Sequence, residues 1–359
     1  MAEIQPVSRD GRIVCTCDGK EYNVRDAIDA SIFRNELMSV WKEFLCKIKA
    51  EENAQESDLE PDDSTVDEMA DQFRYEHDLI TAEETEHWLE QRGLTLEDFS
   101  DYIGRKCLST KLGDTQAAQI DLVSAGDDLR DLFSIDLIFS GEVDRLAKQL
   151  MWRLAARAGG EKIEQQAIAA EKEKFFERVR IQPAEAGDWL EKVGRDEEWL
   201  AEMCELQAAY SAACEKLLTP QTRQKQLALL RMPLTHFSVE AIQVESLNAA
   251  KEALLCMRQD EIPMKEVASE ARYPYRRITF RHEDVPPDLQ QKFWSVGPGD
   301  LLEPIPHADG FEIFRILSKT EPVLSEPAVQ ERIDQRLLEQ HFGHLVHEHV
   351  QTQLPEADQ

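Results

Sequence analysis

Apolar residues recur at three- and four-residue intervals along most of the chain. Leu37, Met38, Trp41, Phe44, Leu45 and Ile48 share one side of a helix at that spacing, and from Ser64 the pattern is helical again. Period-two alternation is confined to a few places. Ile13-Val14-Cys15-Thr16-Cys17 and Glu21-Tyr22-Asn23-Val24 flank the turn Asp18-Gly19-Lys20, which predicts a β-hairpin over Arg12 to Val24. Phe237 to Val244 alternates as a strand, Ile278-Thr279-Phe280 is a shorter one, and Phe311 to Leu317 alternates again. The turn Gly297-Pro298-Gly299-Asp300 leads into an apolar segment from Leu301 to Ile305, and Pro306-His307-Ala308-Asp309-Gly310 turns the chain into the last run. With helices expected over Asn248–Met257, around Met264–Ala268 and over Pro287–Ser295, this part reads β-α-α-β-α-β-β. A long helix over Pro327 to Val350 closes the chain, with Val329, Ile333, Leu337, Leu338 and Leu345 on one side.

Helix boundaries are well marked in the first half. Thr81 with Glu84 makes a capping box, Gly93 is placed for a left-handed C-cap, and Thr95 with Asp98 caps the next helix. The same string recurs 101 positions later: IQPAEAGDWLEKVG from Ile181 lies over ITAEETEHWLEQRG from Ile80 without a gap. It pairs Trp88 with Trp189, Leu89 with Leu190 and Gly93 with Gly194. Upstream, the helix carrying Trp41 has a counterpart carrying Leu146, Leu150, Met151 and Trp152. The reading is a diverged tandem duplication. In the first copy Glu51 to Asp63 is acidic and contains a proline, and reads as a solvated loop; the second copy has Ala158-Gly159-Gly160 there. Between the copies, Ile120–Val123 and Ile135–Phe139 read as buried linker or short strand, and Thr219 to Pro233 as the last helix before a third domain. The expected fold is α+β: a helical module with its hairpin over 1–112, a second module over 113–232, a small α+β domain over 233–320, and a C-terminal helix and tail over 321–359.

Charge narrows the function. The 359 residues include 71 acidic and 41 basic ones, a formal charge of -30. Such a surface repels phosphate backbones and anionic headgroups and attracts basic or amphipathic peptides, so nucleic acid and membrane insertion are not expected. No apolar run is long enough to span a bilayer, and the N-terminus lacks the basic and apolar regions of a signal peptide. Seven scattered cysteines, an odd number, fit a reducing cytoplasm. Cys15 and Cys17 merely share a strand face, with no second pair at ligand spacing. His341, His344, His347 and His349 spread around their helix, so no metal or other cofactor is expected. No glycine-rich phosphate loop or nucleophile elbow is present.

Gly299-Asp300, Leu301-Leu302, Pro304-Ile305 and Gly310-Phe311-Glu312-Ile313 resemble the closing strands of parvulin-type peptidyl-prolyl isomerase domains, which SurA-like and PrsA-like chaperones carry. The string Phe73-Arg74, Trp88-Leu89, Gly93-Leu94-Thr95, Asp98-Phe99 resembles the helical chaperone domain ahead of them, most of all the versions encoded beside bacterial peptide maturation and export systems. These families are typically exported, which this N-terminus does not suggest. The resemblance implies paired histidines on the first and last strands, an acid or thiol near the sheet, and an apolar slot for a proline ring. Here Ala241 and Glu312 take the histidine positions, and Arg272 to Arg277 supplies neither the acid nor the glycine-rich turn. Leu289 and Trp294 fall on the slot, with Phe280 and Phe293 nearby; with Ile242 and Glu312 they are the candidate peptide-binding residues. The same residues also suit the core of a small domain. The resemblance thus implies a catalytically degenerate chaperone or scaffold for a peptide, an unfolded polypeptide or a precursor peptide under maturation or export. An active prolyl isomerase and a structural subunit recruiting a peptide-modifying enzyme are the alternatives.

Overall fold

The computed structural model describes residues 9–113, 120–160, 162–307 and 309–354. The N-terminal segment bearing on export and Ala308 of the last turn lie outside them. The chain forms two compact units, one running to Cys214 and resuming at Gln340, the other from Glu215 to Glu339.

The first unit opens with the hairpin of Ile13–Cys17 (β1) and Lys20–Asn23 (β2), turned by Asp18 and Gly19 at φ 52 and 77. Asn23 caps Val24–Phe33 (α1) through a capping box with Asp26. Then come Met38–Glu56 (α2), Asp63–Glu76 (α3), Ala82–Gln91 (α4) and Leu96–Leu112 (α5). A 3-10 turn at Leu122–Ser124 precedes Asp127–Phe139 (α6), Glu142–Gly159 (α7), Gln165–Val179 (α8), Ala186–Val193 (α9) and Glu197–Leu217 (α10). The second unit contains Pro220–Leu230 (α11), His236–Val244 (β3), Leu247–Gln259 (α12), Met264–Ala271 (α13), Tyr275–Arg281 (β4), Pro287–Trp294 (α14), Ile305–His307 (β5) and Gly310–Thr320 (β6). Pro327–His349 (α15) and Val350–Thr352 (β7) end the described chain.

Four expectations need correction. The acidic loop is shorter than expected, because α2 continues through Glu56. Buried Ala50 and Ala54 hold its inner side, and Lys49 pairs with Glu52 on its outer side. The run Ile135–Phe139 is neither linker nor strand but the end of α6, buried at every position from Phe133 to Phe139. A helix buried all round loses the periodicity that would announce it. The segment Leu301–Ile305 forms only a bridge from Leu301 to Arg315, and pairing begins at Ile305; Pro304 has no N–H to give a ladder. Finally, the hairpin is a three-stranded sheet in the order β2-β1-β7, since Val350–Thr352 adds to β1. The C-terminal helix is divided: from Gln340 on it belongs to the helical unit, where Phe342 stacks on Trp152 and Tyr210 at 5.4 and 4.9 Å.

Helices α2 to α5 and α7 to α10 repeat one order, and both copies bury a tryptophan at the same place. Trp88 on α4 meets the edge of Phe73 at 5.3 Å, and Trp189 on α9 meets Phe175 at 5.0 Å. Each aromatic core is completed from outside its own module. Phe139 of α6 lies against Phe73, Trp88, Phe99 and Tyr102, stacking on Tyr102 at 4.7 Å. Phe33 of α1 stacks on Phe175 at 5.0 Å and meets Trp199 edge-on at 6.3 Å. The helix leading into each module therefore packs into the other one.

The second unit holds an antiparallel sheet in the order β4-β3-β6-β5. Helices α12 and α13 cover one face over Ile242, Val244 and Ile313. The other face, carrying Phe237, Val239, Ala241, Phe314 and Ile316, receives Phe293 of α14. At the β5–β6 turn, Gly310 has φ 143, and a Cβ there would lie 2.2 Å from the carbonyl oxygen of Val244. Only glycine fits. Arg223 of α11 grips Asp334 of α15 with two hydrogen bonds of 2.7 Å.

If the exchanged aromatics bind the modules together, Phe33→Ala and Phe139→Ala should each cost about 3–5 kcal/mol. Native-state hydrogen exchange should show protection falling in α2–α5 and α7–α10 together for either variant. Loss confined to one module would show that the two are energetically separate.

Candidate functional site

The candidate residues lie mainly on the sheet face covered by α14. Ala241 is fully buried in the central strand β3, opposite Phe314 on one side and Arg276 on the other. Glu312 stands opposite Gln243. Its carboxylate is buried and accepts a hydrogen bond from Nη2 of Arg276, whose side chain is half exposed. A methyl group at Ala241 and an ion pair at Glu312 therefore occupy the two positions that the resemblance compares with histidines. Arginine keeps its proton, so the charge at this end is held in the Glu312–Arg276 ion pair.

The other end of the face is aromatic. Phe293 meets Phe237, Phe280 and Phe314 edge-on at 6.2, 5.3 and 5.3 Å. It is buried and serves as the pin of this core, whereas Phe280 and Leu289 are half-buried beside it. Trp294 is 37% exposed. Lys319 places its Nζ 3.9 Å above the indole and donates to the Trp294 carbonyl at 2.8 Å. Burial lowers the Lys319 pKa. His282, itself buried, presents its ring to the indole at 5.4 Å and bonds through Nε2 to the carbonyl of Gln290 at 3.0 Å.

Not all six candidates come together. Phe280, Leu289 and Phe293 do, and Trp294 flanks them. Ile242 lies on the opposite face against α12 and α13, because a step of one residue along a strand reverses the side chain. Glu312 shares the correct face but not the place. Along β3, Phe237 pairs with Lys319 and Gln243 with Glu312, six residues apart, or about 20 Å at strand spacing. Arg276, His282 and Lys319 were not evident from the sequence. Only the register of β4 and β6 against β3 reveals them, because β4 begins at Tyr275, ahead of the strand expected at Ile278.

Acidity is not concentrated here. Residues 215–339 carry 20 acidic and 16 basic side chains, and the helical unit carries the remaining 51 and 25. The acidic surface expected to attract basic peptides thus belongs mainly to the other unit. Burial pushes the Cys15 thiol up to about 12, so it holds its proton. His344 pairs with Glu348, and among the described residues no three His, Cys, Asp or Glu side chains could hold an ion together. None of the seven cysteines is in a disulfide, and no described helix is long and apolar enough to cross a membrane.

No family model matches the chain, and no curated protein is similar to it. Among solved structures it is similar to the peptidylprolyl isomerase PrsA of Bacillus cereus, at 15% identity and a TM-score of 0.32 over 59% of this chain and 85% of that one. PrsA of Bacillus anthracis gives 14% and 0.28 over 57% and 95%. A SurA-like chaperone structure from Campylobacter jejuni gives 10% and 0.20 over 60% and 82%. Likeness this weak leaves function to be read from the residues themselves.

On the other face of the same sheet, burial raises the Glu240 pKa. Hydrogen bonds from the Tyr275 hydroxyl at 2.7 Å and from Nη2 of Arg277 at 2.9 Å outweigh it, leaving the carboxyl below its ordinary value. A depressed carboxyl stabilises the fold above its unfolded pKa and loses that contribution as pH falls. Thermal unfolding of the full chain should therefore weaken below about pH 4.5, and less steeply in Glu240→Gln. Identical acid sensitivity in the variant would remove Glu240 from the account.

Proposed function

We propose that the chain is a peptide-binding chaperone or scaffold, in which the α14 face of the second sheet receives apolar segments without catalysing their isomerisation. The observation that carries this reading is the split character of that face. Phe280, Leu289 and Trp294 leave apolar surface in reach of solvent, while Ala241 and the Glu312–Arg276 pair stand where histidines would act. Turning an X-Pro bond over a barrier of about 18–20 kcal/mol requires groups that weaken amide resonance. A methyl and a locked ion pair supply none. Apolar surface alone supports holding a chain, and the Trp294 indole under Lys319 suits proline or aromatic side chains stacking at its rim.

The occupant we infer is an unfolded polypeptide or a precursor peptide held in reach of modification or export machinery. A protease-coupled assay on proline peptides should stay at background. Fluorescence anisotropy with proline- and aromatic-containing peptides should give saturable binding, weakened about tenfold by Leu289→Asp or Trp294→Asp with the unfolding midpoint nearly unchanged. A robust isomerase rate that disappears in Trp294→Ala would replace this reading with an enzymatic one. Binding that neither Asp variant weakens would move the peptide off this face.

A further inference from the structure

The two helical modules provide an internal comparison of what a solvent-facing position carries. Gly93 and Gly194 are both left-handed, at φ 66 and 73, and the next N–H bonds back to Leu89 or Leu190 at 2.9 Å. Asp78 and Arg180 are likewise left-handed, at φ 53 and 57. The residues after them, Leu79 and Ile181, bond back to Arg74 and Phe176. These matching turns correct the gapless sequence alignment. Leu79, not Ile80, is the counterpart of Ile181, and Ile80 is a one-residue insertion before the α4 cap. Tyr75 then corresponds to Glu177, and Leu96 to Glu197, both exposed.

The first module breaks the pattern set by the second. Tyr75 is 88% exposed, Ile80 76% and Leu96 55%, three of the four most exposed large apolar side chains among the described residues. They lie in the most acidic stretch of the chain: Glu51 to Asp101 holds 19 acidic residues and two basic ones. Both bases are engaged. Arg74 donates to the Ile80 carbonyl at 2.9 Å, and Arg92 lies 4.0 Å over the Trp88 ring. Acidic side chains alone would keep this surface soluble, and exposed apolar area of this size adds an unfavourable hydration cost. A partner that brings positive charge and apolar side chains relieves both burdens.

We propose that the outer side of α3, α4 and the start of α5 docks a lysine- or arginine-rich protein segment bearing large apolar side chains. Tyr75 and Ile80 at the α3–α4 corner are the main anchors, and Leu96 at the α4–α5 corner is a further one. This surface is distinct from the α14 face and does not depend on the function proposed for it. Phosphate-bearing partners are excluded by the charge of the stretch.

The test uses the full chain and a short fluorescent Lys/Leu peptide, with Lys/Ser and Glu/Leu peptides as controls. The Lys/Leu peptide should bind, the Lys/Ser peptide much more weakly, and the Glu/Leu peptide not at all. Tyr75→Glu with Ile80→Glu should weaken Lys/Leu binding about tenfold or more, although it adds negative charge. Leu96→Glu should weaken it less. All three positions are exposed, so the unfolding midpoint should hold. Leu289→Asp should leave the Tyr75- and Ile80-dependent part of this binding unchanged. Equal binding of the Lys/Leu and Lys/Ser peptides would reduce the surface to bulk electrostatics and overturn the proposal. So would indifference to the Tyr75 and Ile80 changes. If Leu289→Asp alone abolishes binding, the peptide belongs to the sheet surface; this proposal then falls while the proposed function stands.

Discussion

The helical unit depends on two aromatic side chains that leave their own neighbourhoods. Phe139 closes the cluster around Trp88, and Phe33 closes the one around Trp189 and Trp199. Buried rings of this size contribute through area and through edge-to-face geometry, together several kcal/mol each. Each ring comes from the helix leading into the opposite module, so each copy's aromatic cluster is completed by a side chain of the other. A duplication that could have produced two beads has produced one interlocked body. Lys47 with Asp136 at 2.8 Å, and Arg195 with Asp29 at 2.6 Å, tie the same exchanged helices through ion pairs.

Much of this was legible in the chain, and what was missed follows a pattern. Thr81–Glu84 and Thr95–Asp98 form the capping boxes their spacing announced, since a cap is written in four consecutive residues. The element order from β3 to β6 was readable because strand and helix differ in period. The end of α6 was misread because burial on all sides erases the period. The third strand of the first sheet escaped because its partner lies more than three hundred residues away. Ile80 was paired with Ile181 because the letters agree, whereas the left-handed residues before the turn set the register one position earlier. At the candidate surface, Ala241 and Glu312 themselves could be read directly. The arginine that neutralises Glu312 could not, because it arrives from β4 by register alone.

Two electrostatic environments share one polypeptide. The sheet unit is close to neutral, and its edge strand β4 presents Arg276, Arg277 and Arg281; Glu312 and Glu240 answer the first two. The helical unit holds nearly all the excess negative charge, densest on α3 and α4. A single global charge of -30 conceals this division. The α14 face offers aromatic surface within a unit of little net charge. The acidic helices act at longer range, up to the roughly 8 Å over which physiological salt lets exposed charges be felt.

The strand β7 has a consequence for how the molecule is made. Its three residues complete the sheet begun by β1, yet they are synthesised only after the whole of the sheet unit. On a ribosome, where domains fold in the order they emerge, the unit started first must be finished last. Until Phe342 and Val350 arrive, the groove between Trp152 and Tyr210 and the open edge of β1 remain bare. The nascent chain therefore carries an exposed strand edge through the synthesis of the intervening 125 residues.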